Sequence, residues 1–314
     1  MKVVTITMNP VLDASTAAKS IVPSKKNRCE PPVYEPGGGG VNVSRALKKL
    51  GCDSMAIFIA GGKNGDKLLE LLKNENIICK VIPSVENTRE NIMIMDKKTD
   101  EHYRFVMPGP RIQEKEWQQV LDVLMEISPK PDYVVASGSL PPGVPDDFYA
   151  RVADWAINND VKMILDTSGP ALKLAMERGV YIAKPNLREL GEMVNNERLT
   201  GMELDDAARE ILAKGYCRIL VVSLGSKGAL LARHNSLEYV IPPVMPVVSA
   251  VGAGDSMVAG IICGCIKGFW PEKAIRYGVA AGTAATITPG SELCRKSDTD
   301  KIFEWLNIDR EDGN

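Results

Sequence analysis

The sequence predicts an α/β fold: a mostly parallel central sheet with helices on both faces, and a small β-sheet lid inserted beside it. Three observations carry this. Short β-branched apolar runs alternate with amphipathic stretches along most of the chain, the rhythm of strand–helix–strand units. With 314 residues and 45% hydrophobic composition, the chain can bury one large core as a single domain over 1–314. Two stretches, about 13–33 and 87–107, break the rhythm with strand-like sequence and form the discontinuous lid.

The elements follow in order. Met1–Met8 reads as a first strand, too short and too β-branched for a signal peptide. Residues 13–33 are polar and strand-like. Val41–Leu50 is an amphipathic helix opened by a glycine run, and Met55–Ala60, Gly65–Asn74 and Ile77–Ile82 continue as strand, helix and strand. Asn91–Met95 and Glu101–Val106 alternate around Asp96–Asp100, a hairpin. Then come strand Asp132–Ser137, helix Asp146–Asn158, strand Val161–Asp166, helix Ala171–Arg178 and the short strand Tyr181–Ala183. Helices Leu187–Val194 and Leu204–Lys214 precede strand Arg218–Ser223, which a second strand, Ala229–Ala232, can join as a hairpin. The last third is helical: Gly252–Lys267 and Glu272–Ile287 are rich in small residues that permit close packing, and Asp298–Leu306 is a final helix. A β lid on a sheet edge exposes apolar surface and unpaired strand edges, so a second copy is expected to cover it, giving a homodimer.

Composition removes several function classes. Lys and Arg number 38 against 40 Asp and Glu, which leaves no basic excess to hold nucleic acid. No apolar run approaches a membrane span. Seven cysteines are scattered without metal or redox spacing, the pattern of reduced thiols in a cytoplasmic protein. His102 sits in an alternating strand and His234 near a hairpin tip, so Ser-His or Cys-His catalysis has little to draw on; an acid–base enzyme would use a carboxylate or a lysine. No Gly-x-x-x-x-Gly-Lys-Ser/Thr occurs, and no Gly-x-Gly-x-x-Gly follows the first strand.

In open α/β sheets, ligands bind beyond the carboxyl ends of the strands. The strongest segment there is Ala250-Val251-Gly252-Ala253-Gly254-Asp255-Ser256, running into a small-residue helix. Its first amides lack helical partners and suit phosphate oxygens. Asp255 lies in the first turn, where the helix dipole favours the ionised form by roughly 0.3–1 kcal/mol. A carboxylate beside an anion hole is what phosphoryl transfer to a hydroxyl needs, while the same residues also make a serviceable helix cap. Glu35-Pro36-Gly37-Gly38-Gly39-Gly40-Val41-Asn42 suits backbone lying against a polar ligand, with Asn42 donating to a hydroxyl; the alternative is a flexible loop. Ser223-Leu224-Gly225-Ser226-Lys227-Gly228 reads as a phosphate nest or as a plain hairpin turn. Asn186 and Glu189 are three apart at a helix start, either orienting water on Mg²⁺ or forming a capping box. Arg89 and Arg104 flank the lid hairpin and can clamp a phosphate or make surface salt bridges. Asp13 can bind sugar hydroxyls or serve as a turn residue.

Taken together, Gly37–Arg45, Asn186-x-x-Glu189 and Val251–Ser256 resemble the motifs of the ribokinase-like sugar kinases, the phosphofructokinase B family, across essentially the whole chain. Glu35–Asn42, Tyr103–Gly109, Gly138–Val144 and Val222–Gly225 resemble the bacterial B-type 6-phosphofructokinase branch. The resemblance implies a three-layer α/β/α sandwich whose β lid dimerises. It implies ATP-dependent phosphorylation of fructose 6-phosphate, with tagatose 6-phosphate or fructose 1-phosphate as sibling substrates and a non-catalytic sugar-phosphate sensor as a distant alternative. Asp255 would be the base, with Gly252, Ala253 and Gly254 as the anion hole. Asp13, Gly38, Gly39, Asn42, Arg89, Arg104 and Ser139 would hold the phosphosugar. Lys26, Lys184, Asn186, Ser223, Gly225, Ser226, Gly228 and Val279 would hold ATP. Mg²⁺ would sit by Asn186 and Glu189 through water, and the resemblance leaves room for K⁺ at Ser249 and Val251.

Overall fold

The computed structural model describes residues 2–196, 198–269, 271–290 and 292–308; Met1 of the expected first strand lies outside them. The chain begins β1 (Val3–Thr7), β2 (Val11–Ala18), β3 (Val33–Gly37), α1 (Gly39–Lys49), β4 (Met55–Ala60), α2 (Gly62–Asn74) and β5 (Ile78–Pro83). It continues with β6 (Arg89–Asp96), β7 (Glu101–Phe105), α3 (Glu114–Glu126), β8 (Tyr133–Ser137), α4 (Phe148–Asn158), β9 (Lys162–Asp166), α5 (Gly169–Met176) and β10 (Val180–Ala183). It ends with α6 (Leu187–Val194), α7 (Met202–Ala213), β11 (Cys217–Ser223), β12 (Ala229–Arg233), β13 (Ser236–Val240), α8 (Ala253–Ile266), α9 (Glu272–Thr286) and α10 (Lys296–Ile308).

The large sheet has the order β13-β12-β11-β10-β9-β8-β1-β4-β5. Its strands are parallel from β5 to β11, and β12 and β13 pair antiparallel at one edge. The central strands β1 and β8 are buried at every residue, as covering on both faces requires. One face packs Trp117, Phe148, Leu172 and Ile211 from α3, α4, α5 and α7 against it. The other packs Val43 and Leu47 of α1 with Ile261 of α8 and Ile275 of α9. Each such aliphatic or aromatic burial contributes about 1.5–3 kcal/mol. Gly260 and Gly264 of α8 lie against α9, where an added Cβ would come within 2.8–2.9 Å of it.

The lid is a second sheet, β3-β2-β6-β7, in which β2 and β6 run parallel and the outer pairs antiparallel. The expected hairpin is present, with Asp96 opposite Glu101. Strand structure does not fill 13–33: residues 19–32 form an irregular loop. Pro23, Pro31 and Pro32 lack the amide donor that a sheet ladder needs there. Helix α3 was not anticipated.

Candidate active site

The site gathers at the carboxyl ends of β1, β8, β9, β10 and β11, where the N-termini of α1 and α8 also converge. Parallel strands force this, because each strand hands its chain to a loop on the same edge of the sheet. Gly252 takes the left-handed conformation (φ +72°) to start α8, and a Cβ there would lie 2.3 Å from Leu293. Ala253, Gly254 and Asp255 then form the first turn. The Lys184 ammonium stands over it, 3.4 Å from where a Gly254 Cβ would be. Lys184 Nζ pairs with Asp166 Oδ1 at 3.0 Å, both side chains largely buried. Burial works against the lysine charge, but Asp166, Asp255 and Glu189 more than offset it and hold its pKa above the usual lysine value.

Asp255 accepts a 2.9 Å hydrogen bond from Asn42 Nδ2 across 213 residues of sequence. Burial, reinforced by the Asp166 carboxylate, pushes Asp255 up to about 6, with Asn42, Lys184 and Arg45 pulling the other way. Desolvation and a like charge therefore act against the favourable dipole expected at this first turn. A carboxylate poised near 6 is well matched to accepting a proton at neutral pH.

Beneath the lid, Asp13 of β2, Asn91 of β6 and Arg104 of β7 line a cleft floored by Val251 and Gly290. Asp13 faces Asn91 in the parallel register, and Asn91 Nδ2 donates to Asp13 Oδ1 at 3.0 Å. Burial raises Asp13 above the usual carboxylate range, while Asn91, Arg89 and Arg104 lower it.

The profile of the pfkB family carbohydrate kinases matches residues 3–298. The chain belongs to this family. It is 45% identical over 304 residues to the ATP-dependent 6-phosphofructokinase isozyme 2 of Mycobacterium tuberculosis, covering 96% of this chain and 89% of that protein. It is 40% identical to the Escherichia coli protein of the same name, covering 98% and 99%. The crystal structure of the E. coli phosphofructokinase-2 with potassium superimposes with a TM-score of 0.93 at 40% identity, and that with fructose-6-phosphate at 0.91 and 39%; each covers 97% of this chain and 99% of the other.

Several of the motif residues also meet neighbours within the protein. The glycine run meets the protein's own backbone and side chains: a Cβ on Gly38 would lie 2.9 Å from Thr7, one on Gly39 2.3 Å from Ser137 Oγ, and one on Gly40 2.5 Å from the Ile6 carbonyl. Close packing of α1 onto the sheet therefore requires residues without a side chain here. Asn42 Nδ2 donates to Asp255, which uses one of its two hydrogens. Arg89 donates to the Asn9 carbonyl (3.1 Å) and the Met107 carbonyl (3.2 Å), bracing the lid, while its Nε is buried without a partner within the protein. Ser139 is exposed and accepts from Asn9 Nδ2. Arg104 lines the cleft, and both Arg104 and Arg89 act on the Asp13 carboxylate.

On the nucleotide side, Ser223 lies beside Pro185 and Asn186 across an isolated parallel bridge. Gly225 has φ +61° with open space where a side chain would go, and Ser226 is exposed. Gly228 is fixed by packing: a Cβ would lie 2.0 Å from the Val240 carbonyl. The hairpin is present, since Ser223 and Ala229 pair across β11 and β12. Val279 is 1% exposed in the core, so its side chain is not presented to the open site. Lys26 sits in the exposed 19–32 loop and does not line this cleft.

Asn186 and Glu189 form the capping box in full: Asn186 N–H donates to Glu189 Oε2 and Glu189 N–H to Asn186 Oδ1, each at 2.9 Å. Burial and repulsion from Asp166 raise Glu189, partly opposed by the Asn186 hydrogen bond and by Lys184. The Lys184 ammonium already pairs with Asp166 and acts on Glu189. Among the described residues no cluster of three or more His, Cys, Asp or Glu converges. The oxygen donors of Asn186 and Glu189 suit a hydrated Mg²⁺, which keeps several of its waters. For K⁺, the Ser249 hydroxyl donates to the Gly290 carbonyl and accepts from Val251 N–H, which leaves one oxygen lone pair free.

Asp166, Asn91 and Asn9 were not singled out from sequence. Asp166 ends β9 as Lys184 follows β10, and its position as the last residue of an apolar run was the available signal.

Proposed function

We propose that this chain transfers the γ-phosphoryl group of ATP to the free primary hydroxyl of fructose 6-phosphate, giving fructose 1,6-bisphosphate and ADP. The observation that carries the reading is Asp255, held by Asn42 at the mouth of α8 with the Lys184 ammonium beside it. The high identity to two proteins named 6-phosphofructokinase supports the choice of sugar.

Asp255 accepts the hydroxyl proton as the oxygen attacks the γ-phosphorus. The bond to the β,γ-bridging oxygen breaks, and ADP leaves with that electron pair. The Ala253 and Gly254 amides and the α8 dipole stabilise the charge on the transferring group, and Lys184 adds a fixed positive charge. Arg104 faces the sugar's 6-phosphate, and Asp13 with Asn91 accepts and donates to its hydroxyls. ATP lies along Asn186 and the Ser223–Gly228 turn, with Gly225 and Ser226 against phosphate. Glu189 and Asn186, through water, would hold the Mg²⁺. That ion would neutralise phosphate charge as the leaving group departs.

The test is ADP release by purified protein across fructose 6-phosphate, tagatose 6-phosphate and fructose 1-phosphate, with and without K⁺. The highest kcat/KM is expected for fructose 6-phosphate. A tenfold preference for either sibling sugar would reassign the substrate while leaving the kinase chemistry in place.

A further inference from the structure

A buried charge network stands behind Asp255 that the phosphoryl-transfer chemistry itself does not call for. Arg45 is 3% exposed and lies one turn beyond Asn42 on α1, so the two share a helix face. Its Nε and NH2 grip both carboxylate oxygens of Glu75 at 2.8–3.0 Å. Its NH1 donates to the Pro36 carbonyl at 2.8 Å and approaches Asn42 Oδ1 at 3.5 Å. Asn42 Nδ2 then reaches Asp255. Resting on the assignment of Asp255 as base, we infer that Arg45 and Glu75 are positioning residues: Glu75 holds the Arg45 fork, and Arg45 fixes the Asn42 amide and the start of the glycine loop against Asp255.

Three physical points support this. An asparagine amide presents a carbonyl on one side and NH₂ on the other, and its orientation follows its neighbours. A guanidinium facing Oδ1 compels Nδ2 to face the carboxylate. Glu75 caps the C-terminus of α2, where the helix dipole disfavours an anion, so its placement serves something other than α2. An ion pair with one buried partner also adds little to stability against an apolar alternative. Its cost is better explained by geometry imposed on the site, where a small misplacement costs about 100-fold in rate.

The charges around Asp255 are Asp166 from β9, Lys184 after β10 and Arg45 from α1. Arg45 favours the ionised base, so its removal shifts the acid limb of kcat to higher pH. The experiment compares wild type, Arg45→Met, Glu75→Gln and the double variant for kcat, both KM values, the kcat–pH profile and Tm. Arg45→Met is expected to lower kcat about 10–100-fold with ATP KM nearly unchanged and the acid limb moved upward. Glu75→Gln should lower kcat severalfold, and should add nothing in the Arg45→Met background, because it acts only through Arg45. Glu75 is partly exposed, so that variant keeps the question open to measurement if Arg45→Met does not fold. Loss of Tm with kcat and the acid limb unchanged, or penalties that add in full, would overturn the inference. A wild-type enzyme with no phosphosugar kinase activity, or an Asp255→Ala variant with normal turnover, would instead remove the base assignment and this inference with it.

Discussion

Asp255 is raised by burial and by Asp166, and this has a thermodynamic consequence separate from catalysis. It binds its proton more tightly folded than unfolded. Its contribution therefore favours the native state below about pH 4, and that contribution is lost as pH rises through about 6. Asp255→Asn, which keeps a hydrogen-bond acceptor for Asn42, should be more stable than wild type at pH 8 by about 1–3 kcal/mol. Urea titrations at pH 8 and pH 4 check this, and the advantage should fade at the lower pH. At this scale, Asp255 and its flanking glycines were legible because the chemistry is local in sequence. The partners that set its behaviour were not. Asn42 lies 213 residues away, and Arg45 meets Glu75 across 30; spacing carries no trace of either contact.

Elements position these residues through contacts that tolerate little extra volume. Gly37 ends β3 opposite Val11, and a Cβ there would lie 2.2 Å from Asp13 Oδ2. Gly37→Ala should displace the Asp13 carboxylate and raise KM for the phosphosugar about tenfold or more, equivalent to at least about 1.4 kcal/mol. ATP KM, set at the far side of the site, should stay within about twofold; steady-state kinetics in both substrates separates the two outcomes. The strand–helix rhythm was readable because burial imposes periodicity on sequence. Helix α3 escaped despite a visible start signal, Gln113-x-x-Glu116, and an apolar face of Trp117, Val120 and Leu124. Its buried Glu116 also accepts from Val85 N–H, a tertiary role that disguises the pattern. The 19–32 loop erred in the other direction, where polar strand-like residues are overruled by three prolines.

The molecule as a whole pairs a rigid nine-stranded body with a lid whose outer residues remain apolar and open: Val33, Phe105 and Val106 are 64%, 49% and 64% exposed. Strands β3 and β7 are the lid's two edges. We propose that a second copy covers this surface. Phe105→Asp should then shift sedimentation from dimer toward monomer, and an unchanged species would reject the pairing. No helix among the described residues is long and apolar enough to cross a membrane. The large sheet and the lid were foreseeable from composition and rhythm, whereas the convergence of α1 and α8 on one carboxylate depends on topology. That convergence is most directly tested by the turnover of Asp255→Ala under saturating ATP and phosphosugar. A fall in kcat of about 10²–10⁴ with ATP binding intact is predicted; turnover within a few-fold of wild type would contradict the role assigned to Asp255.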